Sequence, residues 1–370
     1  MNKKTIAFFG SSIVSAYWNG AATYYRGIVK ALASLGYDIT FYEPDIYERQ
    51  QHRDITDPGY CRVVVYDSNE QELMRLLEEA SFADVIIKAS GVGAFDSLLE
   101  EEVARLKTSD NLVIFWDVDA PATLDRIDND PADPFNTVIP LYDYILTYGG
   151  GQPVVDAYER KGARQCIPVY NAFDVDTHHP VPVDERYQGA LAFLGNRLPD
   201  REERVEEFFL KAAEALPERK FIIGGSGWGD KSMPANVDYI GHVYTNQHNA
   251  FNCSPTTVLN ISRDSMAKYG FSPATRVFEA AGAGACIITD HWEGIDYFFE
   301  PGKEILVAEN GDEVANLIMN LSPEKAKEIG EAAYRKAVSQ HTYAHRAELL
   351  QSIFDGPMTP AEATLVKESI

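Results

Sequence analysis

Short apolar runs recur along the whole chain, and most are near-continuous in Val, Ile, Leu and aromatic residues. In the first half they are Thr5–Gly10, Asp38–Glu43, Arg62–Tyr66, Asp84–Ala89, Leu112–Trp116, Tyr144–Tyr148 and Cys166–Tyr170. Runs apolar on both faces suit strands of a parallel sheet that is covered on both sides. Helical periodicity lies between several of them, as at Ala21–Leu35 and Glu70–Glu79. The alternation predicts βαβ units wound into a doubly covered sheet. The second half repeats the pattern with Leu191–Gly195, Lys220–Gly225, Tyr239–His242, Thr257–Ile261, Cys286–Thr289 and Glu304–Val307. From Pro323 the chain reads as helical, with Gly330 as a break and Tyr343–Phe354 as a further amphipathic helix. The stretch Gly356–Ile370 opens on Gly-Pro with mixed charge and is expected to be partly ordered at best.

A chain of 370 residues exceeds one ordinary hydrophobic core. Between the halves, Asp174–Asp184 is rich in proline and polar residues and has linker composition. The predicted fold class is α/β, with two Rossmann-like doubly wound domains facing a central cleft. The domains are residues 1–174 and 186–342, joined by a linker at 175–185. Ligands of open parallel sheets bind at the carboxyl ends of the strands. The glycine-bearing loops there are Gly10–Gly20, Ser90–Gly93, Asp117–Pro121, Gly149–Gly151, Gly195–Arg201, Gly224–Gly229 and Arg263–Thr275, and they are expected to carry the function.

Charge narrows the partners. The 33 basic and 56 acidic residues leave a net charge of −23. That argues against a broad basic surface for nucleic acid or an anionic membrane, and leaves room for a small basic pocket. The four cysteines, Cys61, Cys166, Cys253 and Cys286, form no C-x-x-C pair and read as reduced thiols of a cytoplasmic protein. The apolar run Ile6–Phe9 reads as a first strand, not a signal peptide, and no run approaches the roughly 20 residues of a membrane span.

The most informative stretch is Gly270 to Asp290, which predicts a loop, a short helix and a buried strand. Ser272 suits an N-cap and Pro273 the first helical position. Arg276 and Glu279 are then three residues apart and share one helix face. The helix start offers amides and positive potential to an anion. This arrangement suits a nucleotide diphosphate, with phosphate on the amides and Arg276 and a hydroxyl pair on Glu279. The bland alternatives are a solvated helix carboxylate and structural ion pairs.

These residues carry a family resemblance. The chain resembles the GT-B glycosyltransferases, and most closely the CgeB-like (spore-maturation-type) family. Pro273-Ala-Thr-Arg276-Val-Phe-Glu279-Ala-Ala-Gly-Ala-Gly284 is similar to that family's donor-binding helix, and Leu194-Gly195-Asn-Arg-Leu-Pro-Asp200-Arg201 to its phosphate loop. Pro301-Gly-Lys-Glu304 and His341-Thr-Tyr-Ala-His-Arg346 are similar to its closing segments. The resemblance covers roughly residues 190–350 well and the first half more loosely. It implies that Glu279 binds the ribose hydroxyls and that Arg201 and Arg276 lie on the donor diphosphate. It also implies that the C-terminal helix 343–370 packs back on the first domain. Many retaining relatives carry a glutamate eight positions before the second one; here that position is Phe271. Asn196, counted with the donor-binding residues, stands where an arginine is frequent.

Other candidates each have two readings. Gly224-Gly225-Ser-Gly227-Trp228 is either a tight turn or a border for the nucleotide base. His242 ends a strand whose loop lies along the base in this fold. Arg263 reaches the cleft or Asp264 caps the next turn. Gly10 and Gly20 bracket the start of the first long helix and face the donor phosphates or the acceptor, without the G-x-G-x-x-G of a dinucleotide site. His52 is a candidate base for an acceptor hydroxyl, or a surface histidine. Asp117-Val-Asp119 has the D-x-D pattern that holds a divalent ion in a different glycosyltransferase fold, but it sits in the wrong domain for that. His178-His179 lacks an evident third ligand. The function expected is metal-independent transfer of a sugar from a nucleotide diphosphate sugar to an unidentified acceptor, with no separate cofactor. A sugar-nucleotide epimerase or hydrolase and a non-catalytic nucleotide-sugar sensor are the alternatives.

Overall fold

A computed structural model describes residues 4–17, 19–199 and 201–356, and only the backbone of 264 and 265. Seven strands form the first sheet: β1 (Thr5–Phe9), β2 (Asp38–Pro44), β3 (Arg62–Tyr66), β4 (Val85–Ala89), β5 (Leu112–Asp117), β6 (Tyr144–Thr147) and β7 (Cys166–Pro168). Six form the second: β8 (Leu191–Leu194), β9 (Phe221–Gly224), β10 (Val237–Gly241), β11 (Thr257–Asn260), β12 (Ile287–Asp290) and β13 (Leu306–Ala308). The orders are β3-β2-β1-β4-β5-β6-β7 and β10-β9-β8-β11-β12-β13. Each sheet runs outward from its first strand in one direction and then reverses, the doubly wound order of dinucleotide-type folds. All pairings are parallel, with Ile6 beside Ile39 and Val85 in the first sheet and Leu191 beside Phe221 and Thr257 in the second. The apolar runs are near-continuous because both faces are covered: β4 is buried at every position, and so are β9 and β12.

Among the described residues the chain forms two compact units. One runs to Tyr170 and resumes at Tyr343; the other is Asn171–Thr342. The stretch read as a linker is therefore part of the second unit. Its polar groups are engaged there: Asp184 N donates to Ser254 Oγ at 2.9 Å and Asn249 Nδ2 to Thr177 O at 2.9 Å. The helix Tyr343–Asp355 belongs to the first unit. It packs so closely on the helix Ala22–Ser34 that a Cβ added at Gly27 would lie 2.1 Å from the Tyr343 ring. The remainder of the segment 343–370 lies outside the described residues.

Gly330 does not break its helix, which runs unbroken from Pro323 to Gln340. A Cβ at Gly330 would sit 2.2 Å from Gly284 O, so the glycine allows the helix backbone to touch the loop before β12. The second unit's core gathers Phe193, Phe209, Phe221, Trp228 and Ile288. The four cysteines are free thiols. No described helix is long and apolar enough to cross a membrane.

Candidate functional site

The helix Thr275–Gly282 starts two residues later than its sequence suggests. Ser272 does not cap it; its hydroxyl donates to Gly270 O at 2.8 Å. Phe271 just before it has φ of 44°, so the chain turns there through the left-handed region and reaches helical geometry only after Pro273 and Ala274. Among the described residues no side chain caps the helix N-terminus, and of its first-turn amides Val277 N donates to Ala274 O at 2.9 Å. The helix ends in a Schellman motif: Gly284 has φ of 77°, its N–H donates to Ala281 O at 2.9 Å, and Ala285 N–H donates to Ala280 O at 3.0 Å. Val277, Phe278, Ala280 and Ala281 are buried against the sheet side. Arg276 and Glu279 are left on the open side, both partly buried.

Arg276 is the unusual group. Its guanidinium lies 5.4 Å from the ring centroid of buried Phe193, and among the described residues it makes no hydrogen bond or ion pair. Burial and the neighbouring charge of Arg201 push it down to about 10, with Glu279 acting in the opposite direction. It therefore stays cationic at neutral pH in a place that disfavours a lone cation. Arg201, partly buried, starts the helical run that follows the Gly195 loop, and one of its guanidinium nitrogens would be 3.0 Å from a Cβ at Gly195. Asp200, beside it, lies outside the described residues. Two guanidiniums thus approach the carboxyl end of β8, and the charge of Arg201 disfavours that of Arg276.

The loops around them are tightly built. Gly195 N donates to Gly224 O at 2.9 Å and Gly225 N to Gly241 O at 2.7 Å. Asn196 Oδ1 accepts from Ser226 N at 2.9 Å, so Asn196 joins the two loops and its carbonyl oxygen is engaged. Arg197 forms a bidentate pair with Glu202 at 2.7 and 2.8 Å and also reaches Asp230 at 2.9 Å. Arg197, followed by Lys231, holds the Glu202 carboxylate down to about 2. Asp290, at the end of β12, accepts from Ser262 N at 3.0 Å and pairs with Arg204 at 2.5 Å. Burial raises its carboxyl while Arg204 opposes that.

Trp228 does not border a base. It is buried, and its Nε1 donates to Gly195 O at 2.7 Å. We expect Trp228→Phe to cost about 1–3 kcal/mol in urea denaturation, because it leaves a buried carbonyl unpaired. A change inside about ±0.5 kcal/mol, the range of an ordinary surface substitution, would show that the bond contributes nothing.

Glu279 gathers groups that no local pattern announced. His178 Nε2 is 3.8 Å from Glu279 Oε1, and the two side chains are 5% and 18% exposed. His248, whose Nε2 contacts Val243 O at 3.2 Å, is held below the usual histidine range by burial, against the opposing pull of Glu279. The interacting residues are far apart in the chain, so no spacing rule exposes them.

The other sequence candidates are divided between the two units. His242 is exposed and packs edge-on against Tyr244. Arg263 precedes the helix Asp264–Tyr269, and the Asp264 side chain lies outside the description. Gly10 is buried and needed for packing, since a Cβ there would lie 2.4 Å from the Phe41 ring; Gly20 is exposed with open space around it. His52 is exposed in the first unit and stacks on Tyr17 at 4.1 Å. Asp117 is buried, and its oxygens accept from Ser90, Thr123, Tyr158 and the Asp119 amide, which leaves little for an ion. Among the described residues no group of three or more His, Cys, Asp or Glu is placed to hold a metal.

Known proteins bear on both units. A family profile described as "Glycosyl transferase-like" matches residues 201–352, the span that includes Arg201, Arg276 and Glu279. Sucrose-phosphate synthase from Thermosynechococcus elongatus superposes with a TM-score of 0.65 at 14% identity, over 95% of this chain and 98% of that one. The Anabaena protein HepE, solved with UDP and glucose, gives 0.65 at 13% identity, over 95% and 99%. An alpha-glucosyltransferase solved with UDP-glucose and DNA containing an abasic site gives 0.69 at 12%, over 95% and 99%. No curated protein matches the chain in sequence. The fold is that of the GT-B glycosyltransferases. Together with the family match, it supports a glycosyltransferase.

Proposed function

We propose that this protein moves a sugar from a nucleotide diphosphate sugar to an acceptor hydroxyl, without a metal. The observation that carries the reading is the Arg276 guanidinium, which is partly buried, has no anionic partner in hydrogen-bond reach among the described residues and is pushed down by burial and by the charge of Arg201. A diphosphate seated on the two arginines and the first amides of the helix Thr275–Gly282 supplies the missing charge. Glu279, one turn along on the same face, then takes the ribose hydroxyls. In the transfer the bond between the anomeric carbon and the diphosphate oxygen breaks and its electron pair leaves with the diphosphate. The acceptor oxygen bonds to that carbon and loses its proton. Arg276 and Arg201 stabilise the charge that grows on the leaving group. Similar folds solved with UDP and UDP-glucose make a uridine donor the first to test. The motifs of the second unit favour the CgeB-like branch, and the free thiols favour the cytoplasm.

The test is calorimetric titration with UDP, GDP, ADP and TDP, followed by donor turnover with the nucleotide that binds. Binding of one nucleotide, lost in Glu279→Ala, is expected; absence of binding by all four sinks the proposal. Phe271 favours a second reading. It puts a partly buried aromatic ring where many retaining relatives have a carboxylate. A protein that binds the nucleotide sugar and turns it over on no acceptor would be a sensor.

A further inference from the structure

We propose that His178 is a specificity-determining residue, which acts with Glu279 as a second acceptor for the vicinal diol of the donor's ribose. The inference rests on the reading of Glu279 given above. His178 Nδ1 is 2.9 Å from Thr177 Oγ1. That hydroxyl donates its single proton to Asp174 O at 3.1 Å, so its oxygen accepts from the imidazole. With that donation the hydrogen-bond network puts a proton on Nδ1, and in that tautomer Nε2 is an acceptor. Nε2 faces Glu279 Oε1 across 3.8 Å. The gap is too wide for a direct hydrogen bond, and both atoms accept. Two acceptors held apart in this way are matched by a ligand that brings two O–H donors on adjacent carbons.

The frame around His178 is rigid. Thr177 N and His178 N both donate to Asp174 O, at 3.1 and 2.9 Å, and Asn249 anchors Thr177 O from the helix that carries His248. His178 is 5% exposed, so its ring has little room to turn away.

The experiment uses the full-length protein and calorimetric titration. UDP, GDP and ADP are screened, and the tightest is compared with its 2′,3′-dideoxy counterpart. The wild type is expected to prefer the ribonucleotide by about tenfold or more, as befits acceptors left unpaired by the dideoxy ligand. In His178→Phe the ribonucleotide should weaken by about tenfold with the dideoxy affinity unchanged, and His178→Gln, which keeps an acceptor, should recover to within about threefold. Melting curves confirm folding, and His178→Met takes the place of the Phe variant if that variant is unfolded. A Phe or Met variant that keeps the full preference, or weakens both ligands equally, overturns the proposal. The underlying reading fails separately: no nucleotide binds, the wild type shows no preference, or Glu279→Gln leaves the preference intact.

Discussion

Replacing Arg276 by methionine should abolish tight nucleotide diphosphate binding and, at the same time, raise the melting temperature of the ligand-free protein. The two effects have one cause. The guanidinium is pushed down to about 10 by burial and by Arg201, so at neutral pH the fold carries an imposed charge. A group whose folded value lies below its unfolded one costs stability wherever it is protonated, and that cost disappears as the pH rises through and beyond about 10. Methionine keeps an unbranched apolar stem against Phe193 and removes the charge. Each kcal/mol relieved should appear as about 2–4 °C in melting temperature for a unit of this size. Binding should weaken by about a hundredfold or more, as expected when a charge-assisted hydrogen bond is removed from a site that retains a second cation. Scanning calorimetry and nucleotide titration on the same variant decide the matter. A variant that melts lower and binds as before would show Arg276 to be structural. The same trade-off recurs where function holds a residue in surroundings that do not suit it.

Gly225→Ala should be the most damaging single-methyl change in the second unit. Gly225 sits at φ 119°, and a Cβ there would lie 2.2 Å from Gly195 O and 2.5 Å from Gly195 C. These are backbone atoms of the loop that leads to Arg201, and side-chain rotation cannot relieve the clash. The backbone conformation alone costs a non-glycine residue about 1–3 kcal/mol. With the clash added, a loss of about 3 kcal/mol or more is expected in urea denaturation. Nucleotide affinity should fall by at least about tenfold as the Gly195 loop is displaced. Gly229→Ala is the control in the same loop: its nearest foreign atom is Tyr239 Cε1 at 3.6 Å, an ordinary van der Waals distance. If the two variants were equally stable, the close approach of the two loops would not be a constraint.

The sheets were legible because parallel strands covered on both faces are apolar at nearly every position, and β4, β9 and β12 are of that kind. That Arg276 and Glu279 lie on one helix was legible because helical spacing is local. What escaped was tertiary. Ser272 has the residue type of an N-cap, but its hydroxyl is turned to Gly270 O by the left-handed Phe271. Gly330 has the propensity of a helix breaker, yet its reason is the Gly284 carbonyl pressed against it. The segment 175–185 has the composition of a linker, but its backbone is tied to Ser254 and Asn249, which are remote in sequence. Trp228 looked available to a ligand only because the carbonyl that it serves, Gly195 O, is remote in sequence. His178 and His248 meet Glu279 through folding alone, and composition carries no trace of that meeting.

The helix Tyr343–Asp355 returns to a unit whose earlier part ends at Tyr170. On the ribosome this makes the early portion wait. The span Asn171–Thr342 is continuous and complete before its predecessor is, so it should acquire protection from proteolysis first. The surface of the helix Ala22–Ser34 at Gly27, shaped to touch the Tyr343 ring, stays bare until Tyr343 has been made. A chain truncated before Tyr343 therefore has its second unit whole and its first unit unsealed. It is that first unit that chaperones would hold.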